Sequence, residues 1–201
     1  NEESESLVEK AVQESLIDLP DNLYQLTQHK VSNVPTLSGA SQLAYIVNYS
    51  DKKGKIAMQD IVWPAKLKVY EPTFLKIIVD SSGVFKLESS QEPICKGKII
   101  DYSIPINEVN EDMLEVDWKD NSSDFYDYLR ESGVDYGYYY QLVINIAKMS
   151  KNYYWTILDL SKLKSFSEDQ RPYLLDAVFH SVMTHSFFEN LSISSPYIPF
   201  T

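Results

Sequence analysis

The sequence has few cysteines, histidines and basic residues, and each shortage excludes a class of protein. Cys95 is the only cysteine among 201 residues, so the chain by itself can build neither a disulfide framework nor a cysteine-rich zinc site. The 18 lysines and arginines are outnumbered by 29 aspartates and glutamates, and the resulting charge of −11 disfavours a nucleic acid or an anionic membrane as partner. No apolar run approaches the ~20 residues of a membrane span. These absences predict a reducing compartment, the cytoplasm.

The remaining composition is that of a globular protein. Hydrophobic residues make up 44% of the chain and charged residues 23%, which is enough apolar material to bury a sizeable core. The chain begins at Asn1 and shows no signal-peptide pattern, which suggests a piece of a longer polypeptide.

Residues 1–21 form an acidic leader in which Lys10 is the only basic residue. Apolar side chains recur there at helical spacing and stop at Pro20, so the pattern predicts an amphipathic helix.

Residues 22–100 combine one helical pattern with a series of strand patterns. Ser38 is a natural N-cap, and the residues from Gly39 to Asn48 repeat apolar side chains with a 3.6-residue period. Runs rich in β-branched and aromatic residues follow at 56–62, 65–70, 74–80, 83–89 and 94–100. One helix and a meander of strands predict an antiparallel sheet curled around a helix, an α+β unit.

The same order recurs after a turn-rich linker at residues 101–122. In residues 123–201, Ser123 is expected to cap a helix over 124–132 that ends at Gly133. Strands are predicted at 138–149 and 153–158, a helix from Pro172 to about residue 187, and the start of another strand at 197–201. Two halves, each a sheet with a helix, are therefore expected.

Two sets of residues could carry chemistry. His29 is expected in a loop ahead of the first helix, where it could face a substrate held by the free amides of the helix N-terminus. Asp176 and His180 lie four residues apart on the last helix, so they share a face among apolar neighbours. A solvated loop histidine and an exposed Asp–His pair would give the same patterns, so the residues alone leave both interpretations open.

Four motifs together resemble the dehydratase domain of modular polyketide synthases. They are His29 with Gly39-Ala40, the run Tyr126-Asp-Tyr-Leu129-Arg-Glu-Ser-Gly133-Val-Asp-Tyr136-Gly137, the run Pro172-Tyr-Leu-Leu-Asp176 with His180, and Pro199-Phe200. The chain departs from the family pattern at Asn33, Ser38, Tyr138, Tyr140 and Arg171. The resemblance implies a double hot-dog fold, two curved antiparallel sheets each wrapped around a central helix, with a second half that is reduced or incomplete in this chain.

The resemblance also implies an activity. Such a domain removes water from a β-hydroxyacyl thioester on an acyl carrier protein and leaves an α,β-unsaturated thioester. His29 would be the base and Asp176 the acid, and His180 would orient Asp176. The Gly39 amide would polarise the thioester carbonyl, and Tyr136 would contact the leaving oxygen.

No metal or dissociable cofactor is implied, since the substrate arrives on the phosphopantetheine arm of the carrier protein. The implied partners are that carrier and the neighbouring polyketide synthase domains, with a homodimer as one further option. Two alternatives stay open at this point: a related enoyl isomerase or oxygen-heterocycle (pyran or furan) cyclase, and a catalytically silent dehydratase-like domain kept for docking or structure.

Overall fold

The computed structural model describes residues 12–50, 56–101, 121–150, 153–163 and 169–189. Residues 102–120 of the predicted linker, the first eleven residues of the acidic leader and Pro199-Phe200 lie outside this described part.

A five-stranded antiparallel sheet wraps around one helix in the first part of the chain. Its strands are β1 (Val12–Leu19), β4 (Ile56–Val62), β5 (Thr73–Asp80), β6 (Val84–Ser89) and β7 (Glu92–Asp101), arranged in the order β1-β5-β6-β7-β4. The helix α2 (Gly39–Tyr49) lies against the inner face, and both elements contribute to a first core that includes Leu43, Ile46, Leu75, Leu87 and Ile99. Burial of this apolar surface is the main force that holds the layer together.

Short elements connect this sheet to the second part of the chain. A short helix α1 (Tyr24–Thr27) precedes the strands β2 (His29–Val31) and β3 (Val34–Pro35). Strand β2 pairs on its other side with β8 (Val134–Tyr136), so the ladder joins residues that are about a hundred positions apart.

The second part contains two helices and a hairpin among its described residues. They are α3 (Ser122–Glu131), β9 (Val143–Ser150), β10 (Tyr153–Leu158) and α4 (Arg171–Phe188), with 3₁₀ turns at Tyr138–Tyr140 and Leu160–Leu163. A second core includes Phe125, Leu129, Tyr140, Leu142 and Tyr173.

Helix α4 belongs to both cores. Leu175 and Phe179 pack against the first core, whereas Leu174 and Met183 pack against the second. Helix α4 also lies alongside α2. Residues on the face of α4 between these contacts are therefore placed at the junction of the two parts.

The predicted helix in the acidic leader is wrong for residues 12–19. They form strand β1, in which Ile17 and Leu19 are buried while Leu16 and Asp18 point outward. This two-residue alternation matches a strand, and pairing with β5 satisfies the backbone of the segment.

The predicted strand at 65–70 is also wrong. Leu67 and Val69 are buried, but among the described residues this segment makes only an isolated bridge between Lys68 and Thr36. The prediction at 138–149 starts too early, since Tyr138–Tyr140 is a 3₁₀ turn and β9 begins at Val143.

Two of the three predicted helix-end residues are confirmed. Ser38 caps α2 by accepting the amide hydrogen of Ser41 at 3.1 Å. Gly133 has a φ of +90° just after α3, a conformation that favours glycine at a helix end. Ser123 is not a cap, because α3 starts at Ser122 with Asn121 in the N-cap position.

None of the helices in the described ranges is long and apolar enough to cross a membrane.

Candidate functional site

His29 is the first residue of β2, and not part of a loop as the sequence predicted. Its partner in the neighbouring strand is Tyr136, which lies 107 positions further along the chain, so no local pattern could have indicated the pairing. The imidazole is buried, and its Nδ1 lies 2.6 Å from the carbonyl oxygen of Thr36. Because a carbonyl oxygen only accepts, Nδ1 carries the proton and Nε2 keeps its lone pair in the neutral ring.

Burial lowers the pKa of His29 below its ordinary value of 6.5, and the nearby Asp176 charge and the Thr36 hydrogen bond offset only part of this effect. The ring is therefore uncharged at neutral pH. A neutral imidazole with one fixed nitrogen and one basic nitrogen is the form that a general base requires.

Asp176 and His180 lie one turn apart on the buried face of α4. The Asp176 side chain is 6% exposed and that of His180 0%, and His180 Nε2 lies 3.4 Å from Asp176 Oδ2. Asp176 Oδ2 and both His180 ring nitrogens have no hydrogen-bond partner within the described ranges. Buried polar atoms are nearly always hydrogen-bonded in folded proteins, so such atoms mark a place where a ligand or water supplies the missing bonds.

Tyr136 stands between the two histidines. Its ring centroid is 5.2 Å from that of His29 and 4.3 Å from that of His180. Burial, followed by the charge of Asp176, raises the pKa of Tyr136 well above 10, so its phenol stays protonated and can only donate or accept a hydrogen bond. The structure thus brings together four of the five predicted site residues, from β2, β8 and α4.

Gly39, the fifth, begins α2. A Cβ atom at this position would lie 3.1 Å from the Trp63 ring, so a larger residue would have to displace that indole. The helix N-terminus where Gly39 lies adjoins the histidine site through Tyr140, which bonds Ser41 and lies beside His29. The amide of Gly39 is one of the free donors at that end.

Tyr140 and Tyr173 also surround the site, and no sequence pattern predicts a role for either. Both side chains are fully buried, and their ring centroids lie 4.6 Å apart. The local sequence around Tyr140 is a run of three tyrosines, which carries no sign that one of them faces inward. Its contacts are made with residues up to 115 positions away.

An apolar groove of about 330 Å³ lies between α2, β4 and α4. Two of its lining residues, Leu175 and Phe179, directly precede Asp176 and His180 on α4. The full lining consists of Leu43, Val47, Ile56, Met58, Ile61, Trp63, Leu175 and Phe179. An apolar lining of this kind suits a hydrocarbon chain.

The part of the chain that the structure describes holds no group of three His, Cys, Asp or Glu side chains arranged to bind a metal ion. The side chains of His29, Asp176, His180 and Tyr136 can transfer protons or form hydrogen bonds.

Comparisons by sequence and by structure give different results. No protein-family model matches the chain, and neither does any curated protein. Solved structures do match. The dehydratase domain of PpsC from Mycobacterium tuberculosis, in complex with C12:1-CoA, aligns with a TM-score of 0.71 at 15% identity over 91% of this chain and 72% of that one.

Two further structures agree. An inactive variant of the CurK dehydratase, with an aspartate replaced by asparagine, has a TM-score of 0.71 at 16% identity, over 90% of this chain and 72% of that one. The dehydratase domain of a mycocerosic acid synthase-like polyketide synthase has a TM-score of 0.70 at 18% identity, over 90% and 70%. The expected fold is confirmed: the chain has the double hot-dog fold of polyketide synthase dehydratase domains.

Proposed function

We propose that this chain is a dehydratase of the polyketide synthase type, which converts a β-hydroxyacyl thioester on an acyl carrier protein into the α,β-unsaturated thioester. The observation that carries the proposal is the junction of the two cores, where a neutral buried histidine from β2 adjoins a buried Asp–His pair from α4. A base on β2 and an acid on α4 can act on the two carbon atoms of one carbon–carbon bond, the base on the α-carbon and the acid on the β-hydroxyl.

The reaction divides between the two parts of the chain. His29 Nε2 takes the proton from the α-carbon, and the electron pair of that C–H bond forms the α,β double bond. Asp176 gives a proton to the β-hydroxyl as the C–O bond breaks, so the oxygen leaves as water. The proton on His29 then returns to Asp176 through solvent, which restores both groups.

The remaining site residues support these two steps. His180 lies 3.4 Å from Asp176 and orients its carboxyl group. The phenol of Tyr136, which lies next to both histidines, donates a hydrogen bond to the departing oxygen. The Gly39 amide, at the positive end of α2, polarises the thioester carbonyl and so makes the α-proton more acidic.

Known dehydratases of the same fold support the assignment of an essential histidine and an essential aspartate. Two variants of the CurK dehydratase are inactive, one with an aspartate replaced by asparagine and one with a histidine replaced by phenylalanine. In this chain we assign those two roles to His29 and Asp176, which are both buried.

The apolar groove indicates the substrate class. The PpsC domain was solved with C12:1-CoA, an unsaturated acyl thioester. In this chain the apolar groove between α2, β4 and α4 would take the hydrocarbon tail of such a substrate, and the thioester end would face Gly39 and His29.

The proposal includes its partners and needs no dissociable cofactor. The acyl group would arrive on the phosphopantetheine arm of an acyl carrier protein, and the chain would act beside other polyketide synthase domains, alone or as a homodimer.

The test is a direct assay of the full chain with β-hydroxyacyl groups loaded on a carrier protein. Mass spectrometry of the carrier-bound acyl group should show the loss of one water, and the product should absorb as a conjugated enoyl thioester. The matched control is a variant with both His29→Ala and Asp176→Asn, which should leave the substrate unchanged. A shift of the double bond without loss of water would favour an isomerase, and no reaction with any β-hydroxyacyl length would favour a silent docking domain.

A further inference from the structure

Tyr140 connects the two parts of the chain at the site. It is the last residue of the 3₁₀ turn that follows β8, and its side chain is fully buried. Its hydroxyl lies 3.1 Å from Ser41 Oγ in the first turn of α2, and it approaches the carbonyl oxygen of Gln25 at 3.5 Å. One phenol therefore holds two elements of the first part of the chain.

The contact with Ser41 continues to the N-cap of α2. Ser38 Oγ donates to Ser41 Oγ at 3.1 Å and accepts from the Ser41 amide, also at 3.1 Å. If Ser41 in turn donates to Tyr140 and Tyr140 donates to the Gln25 carbonyl oxygen, each of these three hydroxyl groups has an acceptor for its proton. Buried hydroxyl groups require such partners, so the loss of any one of them leaves another unsatisfied.

The ring of Tyr140 lies against both sides of the catalytic arrangement. Its centroid is 5.7 Å from that of His29 and 4.6 Å from that of Tyr173, which lies one turn before Asp176 on α4. The same side chain therefore touches the proposed base, the helix of the proposed acid and the N-terminus of α2.

We infer that Tyr140 is a positioning residue. Through Ser41 and Ser38 it fixes the N-terminus of α2, and with it the Gly39 amide, relative to His29 and Asp176. The kinetic part of this inference rests on the proposed dehydratase function, whereas the tie between Tyr140 and α2 does not.

The test is Tyr140→Phe, which removes the hydroxyl and keeps the ring. With the loaded carrier as substrate, kcat should fall about tenfold or more, because small misplacements of reacting groups are costly, while KM changes less than about twofold. The pH profile should keep its shape, since Tyr140 transfers no proton. Hydrogen exchange at the Ser41 amide should become faster.

Two further variants separate positioning from a general loss of packing. Tyr154→Phe is the matched control, because its hydroxyl bonds His185 at 2.9 Å near the far end of α4, away from α2. This variant should leave kcat and exchange at Ser41 unchanged. Ser41→Ala should lower kcat by a similar factor. The double variant with Tyr140→Phe should lower kcat little further, because both changes break the same hydrogen bond between Ser41 and Tyr140.

Specific outcomes would overturn the inference. An unchanged kcat in Tyr140→Phe would do so, and so would independent, multiplying effects of the two changes or unaltered exchange at Ser41. If the parent chain shows no dehydratase activity, the proposed function fails. In that case the exchange measurement alone decides whether Tyr140 holds α2.

Discussion

His29 and Thr36 form the hydrogen bond on which the proposed proton transfer depends. The ring nitrogen Nδ1 donates to the Thr36 carbonyl oxygen at 2.6 Å, so the tautomer is set by the backbone of the neighbouring segment. Nε2 is thereby left as the basic nitrogen. Because the acceptor is a backbone carbonyl and not an ionisable side chain, this tautomer does not depend on the titration of a second group. The base and its orientation both come from the β2–β3 segment.

His29→Ala should abolish dehydration, and the pH profile of the parent should identify His29 as the base. Because burial lowers the pKa of His29, the ring stays neutral as the pH falls to 6.5, and the acid limb of kcat/KM should have its midpoint below that value. Stopped assays across the acid range would measure it. His185→Ala, which removes an exposed histidine, is the control and should keep the parent profile. An acid limb centred above 6.5 would contradict the assignment.

Asp176→Asn should be more damaging than His180→Ala. The first change removes the proton that is transferred, and loss of a positioned general acid costs ~10²–10⁴-fold in rate. The second removes only the imidazole that lies 3.4 Å from the carboxylate, so part of the activity should remain. Single-turnover rates would rank the two variants, with thermal unfolding to verify that both fold. Equal and small losses would contradict the role of Asp176 as the general acid.

The sequence predicted most single elements but not the contacts between them. Strands at 56–62 and 153–158 were predicted with the boundaries that the structure has, because turn residues and β-branched runs mark them locally. The helix predicted in the leader is wrong because residues 12–19 pair as a strand with β5, which lies about sixty residues away. This pairing places Ile17 and Leu19 in the core. Local periodicity carries no information on that partner.

In the candidate site, too, contacts between residues close in sequence could be predicted and contacts between distant residues could not. Spacing alone placed Asp176 and His180 on one helix face, and the structure has them there. The meeting of His29 with Tyr136 depends on β2–β8 pairing, and only the resemblance to a known family linked these residues beforehand. No local pattern predicts a role for Tyr140, because its hydroxyl contacts Ser41, which lies 99 positions away along the chain.

Asp169 should make the stability of the chain depend on pH in the acid range. Burial raises the pKa of Asp169, but hydrogen bonds from Asn48 and Arg171 outweigh this effect, so the net pKa lies below 3.8. The bonds therefore add stability above the unfolded value of 3.8, and this contribution is lost as the pH falls through the lowered folded value. Since Asp169 is partly exposed, the contribution should be only ~0.2–1 kcal/mol.

Urea unfolding at neutral pH and near pH 3 would measure this effect. Asn48→Ala removes the donor that lies 2.6 Å from Asp169 Oδ2. Its destabilisation should be evident at neutral pH and shrink in acid. An equal loss of stability at both pH values would contradict the linkage.

Met58→Trp should shift the enzyme toward shorter acyl chains. Met58 lies on β4 and lines the groove of about 330 Å³, so a larger side chain would occupy volume meant for the hydrocarbon tail. Each buried methylene group is worth ~0.8 kcal/mol, roughly a fourfold change in kcat/KM. The ratio of kcat/KM for β-hydroxyoctanoyl to β-hydroxybutyryl carrier protein should therefore fall sharply. Val62→Trp, on the exposed end of the same strand, should leave this ratio unchanged. A parallel loss for both substrates in Met58→Trp would show that the acyl chain lies elsewhere.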